Sequence, residues 1–465
     1  MVDETYESNI VRSFSGIGIL KIDNKESIKV DFSILQHNDS SIIANCNACV
    51  SVDLDSSLIY KPVTLEGKIE KSSLAVTLKA RIQRVSYTST GKDGDIVLMG
   101  SHIRIGELPI KFPVSAHFHI TNLEFSGTSF VLAEHNNGLS KVKRSIHCLP
   151  LTIEEVQVKL KQMSDYSENL LFAKETRSIA ATTELSFSIT QEADLEKVQE
   201  FADNICLILS LARGSRIYAM NCEIRNSSGA ALYFIGRRLP RKGLGMQSIK
   251  VIDPLWPLGT QRFLEHCYTY ICRANDEWAF DKAVDLYLDA KREGDEFELW
   301  GLKMVICMEF LHAQYLARVG EQTVLKPEQF NGRAQRCIKQ HLEIGIRKAV
   351  EGITKEQIDA MLKKVKELNR PSFRDSLITL NSQVGARLSE TAVGRFVAIR
   401  NSLVHRGTFC RVDKYGSTSE QYNFLNDYVC RFMFGILGNP LEAVFRDRTY
   451  PDGTPVSENY AQNLP

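Results

Sequence analysis

The chain has 465 residues, 43% of them hydrophobic, and a formal net charge of +1 at pH 7. A chain of this length can bury sizeable cores and indicates two or three domains. The nearly balanced charge excludes a global field of the kind that attracts nucleic acid or a membrane. The longest apolar run, Ile205–Ala212, is far shorter than the ~18 residues that span a bilayer. The N-terminus contains Asp3, Glu4 and Glu7 and lacks the features of a signal peptide, so we expect a soluble, cytoplasmic protein without membrane association.

Eleven cysteines, an odd number, are scattered through apolar segments, as is typical of reduced cysteines in a core. Cys46 and Cys49 have the spacing of half a zinc site. Candidate completing ligands are His102, His117, His119, His147 and Cys148. However, residues 42–46 alternate like a strand, in which residues three apart point to opposite faces, and no second pair has suitable spacing. We therefore expect no metal and no cofactor, with zinc as the less favoured alternative.

Residues 1–150 have the pattern of short β-strands. Residues 18–22 and 27–32 alternate apolar and polar around Asp23–Lys25, which predicts a hairpin. Further strands are predicted at 42–46, 57–60, 74–78, 96–100 and 116–120, with a turn at 91–95. This spacing favours a β-sandwich or an open barrel. His117 and His119 lie two apart on one strand face and, without a third ligand, are expected to be surface residues.

Residues 151–253 mix helix and strand. Thr152–Glu155 resembles a helix-capping sequence and predicts a short helix, whereas residues 194–212 predict one long amphipathic helix that ends at Gly214. Strands are predicted at 184–189, 216–220 and 231–236. The basic run Arg237–Gly243 has two interpretations, a phosphate-binding loop or a solvated linker. Prolines and a glycine at 253–259 predict a domain boundary, so residues 1–253 form the first region.

Residues 254–445 are predicted to form an antiparallel helical bundle, followed by a polar tail at 446–465. The predicted helices cover 261–274, 279–292, 296–318, 332–350, 355–369, 373–380, 388–406 and 420–437. The overall fold class is therefore α+β, with a β-rich first half and an all-α second half.

Charge is divided within the bundle. Residues 265–310 contain eleven acidic against five basic side chains, and residues 333–374 contain eleven basic against five acidic ones. This division fits solvated faces, a basic surface that attracts RNA, or association between bundles. Glu309 follows the apolar run 304–308, so we expect it to need a partner, with Arg400 as the natural one.

The helix at 394–407 carries the most informative side chains. Phe396, Ile399 and Leu403 form one apolar stripe, and Asn401 and His405, four residues apart, lie nearly opposite it. Gly407 is predicted to end the helix, which places His405 in its last turn. A cationic last turn is also explained by the helix dipole alone.

The string from Arg400 to His405 resembles the R-x4-6-H signature of the HEPN superfamily, including the Asn that often follows the Arg. The order of the two halves resembles the ApeA-like proteins of bacterial antiphage defence, in which a β-rich half precedes a HEPN domain. The resemblance implies a dimeric ribonuclease with a composite site, which leaves a cyclic phosphate and a 5′-hydroxyl. It also implies that the first half is a sensor for a phage-derived trigger.

The chemistry of these residues suits metal-independent RNA cleavage. A neutral imidazole at His405 can accept or donate the proton of the 2′-hydroxyl, and the guanidinium of Arg400 can hold phosphate oxygens. Asn401 can position either group by hydrogen bonding. A homodimer or higher homo-oligomer would supply further groups from a second copy. The alternative is a non-catalytic HEPN-like binding or regulatory protein in which Arg400 and His405 are structural.

Overall fold

A computed structural model describes most of the chain, which divides into two compact units, Met1–Thr269 and Tyr270–Pro465. The described residues are 10–22, 26–48, 58–87, 94–106, 112–126, 128–135, 138–176, 178–191, 194–239, 252, 257–292, 294–320 and 323–440. The domain boundary was predicted at 253–259: residues 253–256 lie outside these ranges, as does the predicted tail, whereas residues 257–259 form the start of a helix. No helix in the described ranges combines the length and the apolar character that crossing a bilayer requires.

The N-terminal unit is built on strands that mostly alternate buried and exposed residues. Their bounds are β1 Ile10–Ile22, β2 Glu26–His37, β3 Ile42–Ala48, β4 Pro62–Ile69, β5 Ala75–Tyr87, β6 Gly94–Gly106, β7 Val114–Thr121, β8 Thr128–His135, β9 Gly138–Ser145, β10 Cys148–Ile153, β11 Val156–Gln162, β12 Ala181–Ile189, β13 Ala219–Asn226 and β14 Ala231–Arg237. Two helices accompany them, α1 Tyr166–Thr176 and α2 Leu195–Arg213. The predicted β-rich first half with one long helix is confirmed.

Within the described residues, six strands in the order β6-β3-β2-β1-β4-β5 form a closed barrel, because β5 also pairs with β6. Inward-facing apolar side chains such as Leu20, Ile34, Leu65, Leu78 and Leu98 are fully buried and fill it. Each such side chain stabilises the fold by about 2 kcal/mol through its removal from water. The closed barrel replaces the open barrel or sandwich that the sequence predicted.

The sheet continues beyond the barrel through β14, β13, β7, β12, β11 and β10. Helix α2 packs on this extension, where the ring of Phe201 meets Phe187 of β12 edge-on at 4.8 Å. The helix begins at the N-cap Asp194, whose side chain accepts a hydrogen bond from the Glu196 amide, and ends at Gly214, which has φ +66°. Both ends agree with the prediction.

Two predicted secondary-structure elements of this unit were wrong. Thr152–Glu155 does not begin a helix: Glu154 and Glu155, with φ of 46° and 69°, form the tight turn between β10 and β11. Residues 58–60, predicted as part of a strand, form a turn in which Tyr60 adopts φ 70°. In both places the chain forms a turn with positive φ instead of the helix or strand that the local sequence pattern predicted.

The C-terminal unit is helical, as predicted. The described helices from residue 257 onward are α3 Pro257–Trp278, α4 Phe280–Asp289, α5 Phe297–Val319, α6 Pro327–Gln329, α7 Gln335–Ala349, α8 Lys355–Lys363, α9 Phe373–Val384, α10 Glu390–Arg406, α11 Val412–Tyr415 and α12 Thr418–Ile436. Helix α3 begins in the N-terminal unit, which ends at Thr269, and the remaining helices belong to the C-terminal unit. A π-helical turn, Phe330–Ala334, joins α6 to α7, and a 3₁₀ turn, Lys364–Asn369, follows α8. Helix α5 lies at the centre and packs against α4, α9, α10 and α12.

Candidate active site

Helix α10 carries all three predicted site residues and is fixed at both ends. The hydroxyl of Ser389 caps its N-terminus by accepting a hydrogen bond from the Ala392 amide at 3.1 Å. Gly407 ends it with φ +71°, a conformation that favours glycine. The predicted apolar stripe is buried, and its Phe396 stacks on Tyr428 of α12 with ring centroids 4.3 Å apart. The last turn of α10 is therefore held in place by its own core face.

Arg400 is paired with Glu309 of α5, as the sequence predicted. Its Nε and Nη2 both lie against Oε1 of Glu309, at 2.8 and 2.6 Å. The pair is only partly buried, since the side chains of Arg400 and Glu309 are 25% and 37% exposed. Glu309 is therefore less enclosed than its apolar sequence context indicated, and solvent reaches the guanidinium.

Asn401 extends this contact, because its Oδ1 accepts a hydrogen bond from Nη1 of Arg400 at 3.0 Å. All three nitrogens of the guanidinium therefore donate hydrogen bonds to side-chain oxygens of Glu309 and Asn401. The Asn401 side chain is itself exposed. The arrangement holds Arg400 in one orientation at the surface of the bundle.

His405 lies in the last turn of α10 and is exposed, as predicted. Its ring forms no hydrogen bond with any residue that the structure describes. On an ideal helix His405 lies about 40° from Asn401 but about 140° from Arg400. The structure therefore brings Arg400 and Asn401 into contact and leaves His405 free toward solvent.

Three residues that the sequence did not single out complete the surroundings of Arg400. The ring of Phe373 lies 5.3 Å from its Cζ, within cation–π distance. The same ring meets His312 edge-on at 5.0 Å, and Nε2 of His312 lies 2.7 Å from Oγ of Ser376. The sequence carried one signal for His312: it lies three residues after Glu309 on α5, and residues at that spacing share a helix face.

Helices α5 and α10 carry one histidine each near the Arg400–Glu309 pair, and His312 of α5 is less exposed than His405 of α10. Burial lowers the pKa of His312, and the nearby carboxylate of Glu309 opposes that shift less strongly. Burial therefore favours the neutral form of the His312 ring beside the Arg400–Glu309 pair.

Basic side chains of residues 333–374 are mostly exposed, in agreement with a charged surface. One of them, Arg374, follows Phe373 directly and approaches Glu390 of α10 at 3.4 Å. This pair is exposed and contributes at most ~1 kcal/mol.

Two of the candidate metal ligands of the N-terminal unit, Cys46 and His117, have other surroundings. In the described residues, no group of three or more His, Cys, Asp or Glu side chains has the arrangement of a metal site. Cys46 is buried in the barrel core, and burial raises the pKa of its thiol to about 12, while Cys49 lies outside the described residues. His117 contacts Ser115 and Glu184, at 2.9 and 3.3 Å.

The prediction that His119 is a surface residue was wrong. It is 8% exposed and its Nδ1 lies 3.2 Å from Nδ2 of Asn221. Burial, followed by the charges of Arg12 and Arg225 against those of Glu184 and Glu223, lowers its pKa to about 4. In the basic run 237–243, Arg237 is the last residue of β14 and pairs with Asp203, and residues 240–243 lie outside the described residues.

Comparisons of the chain with family models, curated proteins and solved structures returned no match.

Proposed function

We propose that the chain is a metal-independent endoribonuclease whose composite site contains Arg400, Asn401 and His405 from two copies. The observation that carries this proposal is the fixed guanidinium of Arg400, held by Glu309 and Asn401 at a solvent-accessible surface one turn from the exposed His405. An oriented cation and an accessible imidazole are the two groups that cleavage without metal requires.

The reaction begins at the 2′-hydroxyl of RNA. One imidazole accepts its proton while the oxygen attacks the adjacent phosphorus, and the guanidinium stabilises the negative charge on the phosphate oxygens. The bond to the 5′-oxygen breaks, and that oxygen takes up a proton from a second acid. The products are a 2′,3′-cyclic phosphate and a 5′-hydroxyl, so atoms and protons balance without a metal.

A second copy supplies the second acid. Because Arg400 and His405 lie about 140° apart around α10, one copy does not present both groups to the same phosphate. A two-fold axis beside the last turn of α10 would bring one His405 toward the partner's Arg400. Two exposed apolar side chains flank the Arg400–Glu309 pair and suit such an interface: Val404 is 42% exposed, four residues after Arg400, and Ile306 is 43% exposed, three residues before Glu309.

The family resemblance of the Arg400–His405 string supplies the biological setting of this proposal. In that setting the protein acts in bacterial antiphage defence by abortive infection, and the N-terminal unit keeps the nuclease inactive until a phage-derived trigger arrives. The closed barrel and its sheet extension support a regulatory unit because they form a compact body of their own.

One observation favours a second function. Three guanidinium nitrogens of Arg400 already donate to Glu309 and Asn401, which suits a structural arginine in a non-catalytic binding protein. In that case His405 would have no role in chemistry. The two functions differ in what they require of the exposed ring of His405.

RNA cleavage in EDTA distinguishes them. With the trigger supplied by an extract of phage-infected cells, we expect the protein to cut RNA in excess chelator and to leave cyclic phosphate ends. We expect His405→Ala and Arg400→Ala to abolish this activity. Arg406→Ala is the matched control, because Arg406 is an exposed cation in the same turn and should retain activity. The binding protein would be favoured if His405→Ala cut RNA as well as the wild type. It would also be favoured if the wild type formed a dimer but did not cut RNA in the presence of its trigger.

Expression in cells addresses a nuclease that is held inactive. We expect the wild-type chain to slow growth when its trigger is supplied by infection, and His405→Ala to relieve that effect while accumulating to the same level. Growth inhibition that persists in both Arg400→Ala and His405→Ala would contradict the catalytic role of these residues.

A further inference from the structure

The N-terminal barrel carries a cleft that the proposed nuclease chemistry does not use. The cleft has a volume of about 1170 Å³ and is lined by residues of β1, β2, β4, β5 and β6. It lies where β6 changes partner: Gly100 is the last residue of β6 to pair with β3, at Ile42, and His102 pairs with Arg237 of β14. At this point β6 stops pairing with β3 and pairs with β14 instead, so the sheet forks into two branches. The outer face of β5 and β6 is open at the fork.

The pairing of β5 with β6 is irregular along the cleft, with one extra residue in each strand. The register shifts between Lys79 and Ala80 and again between Ile82 and Arg84, so two irregularities flank Arg81. Such bulges redirect side chains and are common beside binding sites. Here the exposed side chains of Lys79 and Arg81 line the cleft.

Positive charge dominates the described lining of the cleft. Lys21, Lys79, Arg81 and Arg238 contribute cations, and Glu66 is the one carboxylate among the described lining residues. Glu66 is paired with Lys21 at 2.6 Å. The side chains of Lys79, Arg81 and Arg238 are exposed and form no ion pair within the described residues. Three uncompensated cations therefore face one cleft.

The fork carries His102, whose pKa is lowered. His102 lies between Lys79 and Arg237 in the strand register. Burial lowers its pKa first, and the charges of Arg104, Lys79 and Arg237 lower it further. Positive charge therefore accumulates on this side of the barrel even though the whole chain is nearly neutral.

The cations are spread along the cleft. Lys21 and Lys79 both pair in register with Thr64, so their strands are two spacings, roughly 10 Å, apart. Lys79 and Arg81 follow each other on one face at roughly 7 Å. A single phosphate would need cations that converge on one point, whereas this spacing suits an extended polyanion.

An exposed aromatic ring stands at the same cleft. Tyr60 lines it with a side chain that is 74% exposed, held out by the positive-φ turn between residues 58 and 61. Single-stranded nucleic acid is bound by grooves that combine dispersed cations with such rings, because every base can stack on an aromatic face. An acidic peptide would use the cations but would gain less from the ring.

We propose that this cleft binds single-stranded nucleic acid, with backbone phosphates on Lys79, Arg81 and Arg238 and a base stacked on Tyr60. The site belongs to the N-terminal unit, and its argument uses neither Arg400 nor His405. It gives the N-terminal unit a ligand of its own chemical class, independent of whether the C-terminal helix cleaves RNA.

Fluorescence anisotropy with the full chain tests the proposal. The probe is a labelled 2′-O-methyl oligonucleotide of about 12 nucleotides, within the range one such site covers, and it has no free 2′-hydroxyl to cleave. We expect Lys79→Glu/Arg81→Glu to weaken binding at least about tenfold and to reduce the slope of log K against log salt by ~1.4. Tyr60→Ala should weaken binding by about fivefold or more, in line with one lost stacking contact.

Lys159→Glu/Lys161→Glu is the matched control, because these exposed lysines are also two apart on one strand, β11, of the same unit. It should bind like the wild type, and circular dichroism should show that both double variants are folded. Equal binding by the Lys79/Arg81 and Lys159/Lys161 variants would overturn the site. If polyglutamate displaced the labelled probe as effectively as unlabelled oligonucleotide did, the cleft would be assigned to acidic protein segments instead.

Discussion

The carboxylate of Glu309 accepts hydrogen bonds from Nε and Nη2 of Arg400 at 2.8 and 2.6 Å, and this contact ties α5 to the helix that carries the candidate site. Both side chains are partly exposed, so solvent screens their attraction and the pair contributes at most ~1 kcal/mol to stability. Its larger effect should be on the orientation of the guanidinium.

We expect Glu309→Gln to lower RNA cleavage more than about tenfold while changing the free energy of unfolding by less than ~1 kcal/mol. The amide keeps the size of the side chain but removes the charge that fixes Arg400. Cleavage rates and urea unfolding measured on one preparation check the prediction. Glu298→Gln, on the same helix, should leave both quantities unchanged, and a parallel loss of stability and activity in Glu309→Gln would assign the pair a structural role.

The second prediction concerns the dimer. Val404→Asp places a charge on a side chain that is 42% exposed beside Arg400, so it should break an interface there without entering the core of the bundle. We expect a monomer by light scattering and a loss of cleavage, with the helical circular dichroism retained. Leu171→Asp, at an exposed apolar residue of the N-terminal unit, should remain dimeric and active. A Val404→Asp protein that is still dimeric would place the interface elsewhere.

Local signals predicted much of the fold. Helix α2 was bounded correctly because Asp194 and Gly214 act as caps within a few residues of the chain. The apolar stripe of α10 was found because its period is set by the helix itself. The pairing of Glu309 with Arg400 was predicted because a carboxylate that follows an apolar run in the sequence needs a cation as its partner.

Non-local features were not predicted. The barrel closes through pairing of β5 with β6 and forks where β14 joins β6, and strand pairing over such sequence distances leaves no local pattern. The contact of Phe373 with Arg400 and His312 depends on how three helices pack. The burial of His119 depends on the strands that flank β7, so its spacing from His117 carried no information about it.

The third prediction follows from that burial. The pKa of His119 is about 4 in the folded protein, against 6.5 for an ordinary histidine. As pH falls below 6.5 the unfolded chain takes up this proton first, so stability is lost between pH 6.5 and 4, by up to ~3 kcal/mol. We expect His119→Gln to flatten this part of the pH dependence.

Urea unfolding followed by hydrogen exchange in β7 and β12 reports on this unit and checks the His119 prediction. His147→Gln, at an exposed histidine of the same unit, should behave like the wild type. Wild-type and His119→Gln proteins that lose stability equally between pH 6.5 and 4 would show that other groups cause the acid sensitivity.

The last prediction concerns a lysine in the core of the bundle. Lys291 is 1% exposed, and its Nζ donates to the hydroxyl of Tyr287 at 2.5 Å, which in turn contacts Cys430 at 2.7 Å. Burial lowers the pKa of Lys291 to about 8, while Cys430 and Asp427 oppose the shift. Below pH 8 the ammonium is charged in both states, so the folded protein bears the full cost of burying it.

We therefore expect Lys291→Met to be more stable than the wild type at pH 7, by up to ~3 kcal/mol. Between pH 8 and 10.5 the unfolded wild-type chain binds more protons than the folded one, so wild-type stability rises with pH and the advantage of the variant shrinks. Urea unfolding of both proteins at pH 7 and pH 10 measures this difference. Lys282→Met, an exposed position on α4, should show neither effect. An advantage of Lys291→Met that is constant across this range would mean that burial does not lower the pKa of Lys291 and that the lysine stays charged in the folded protein up to pH 10.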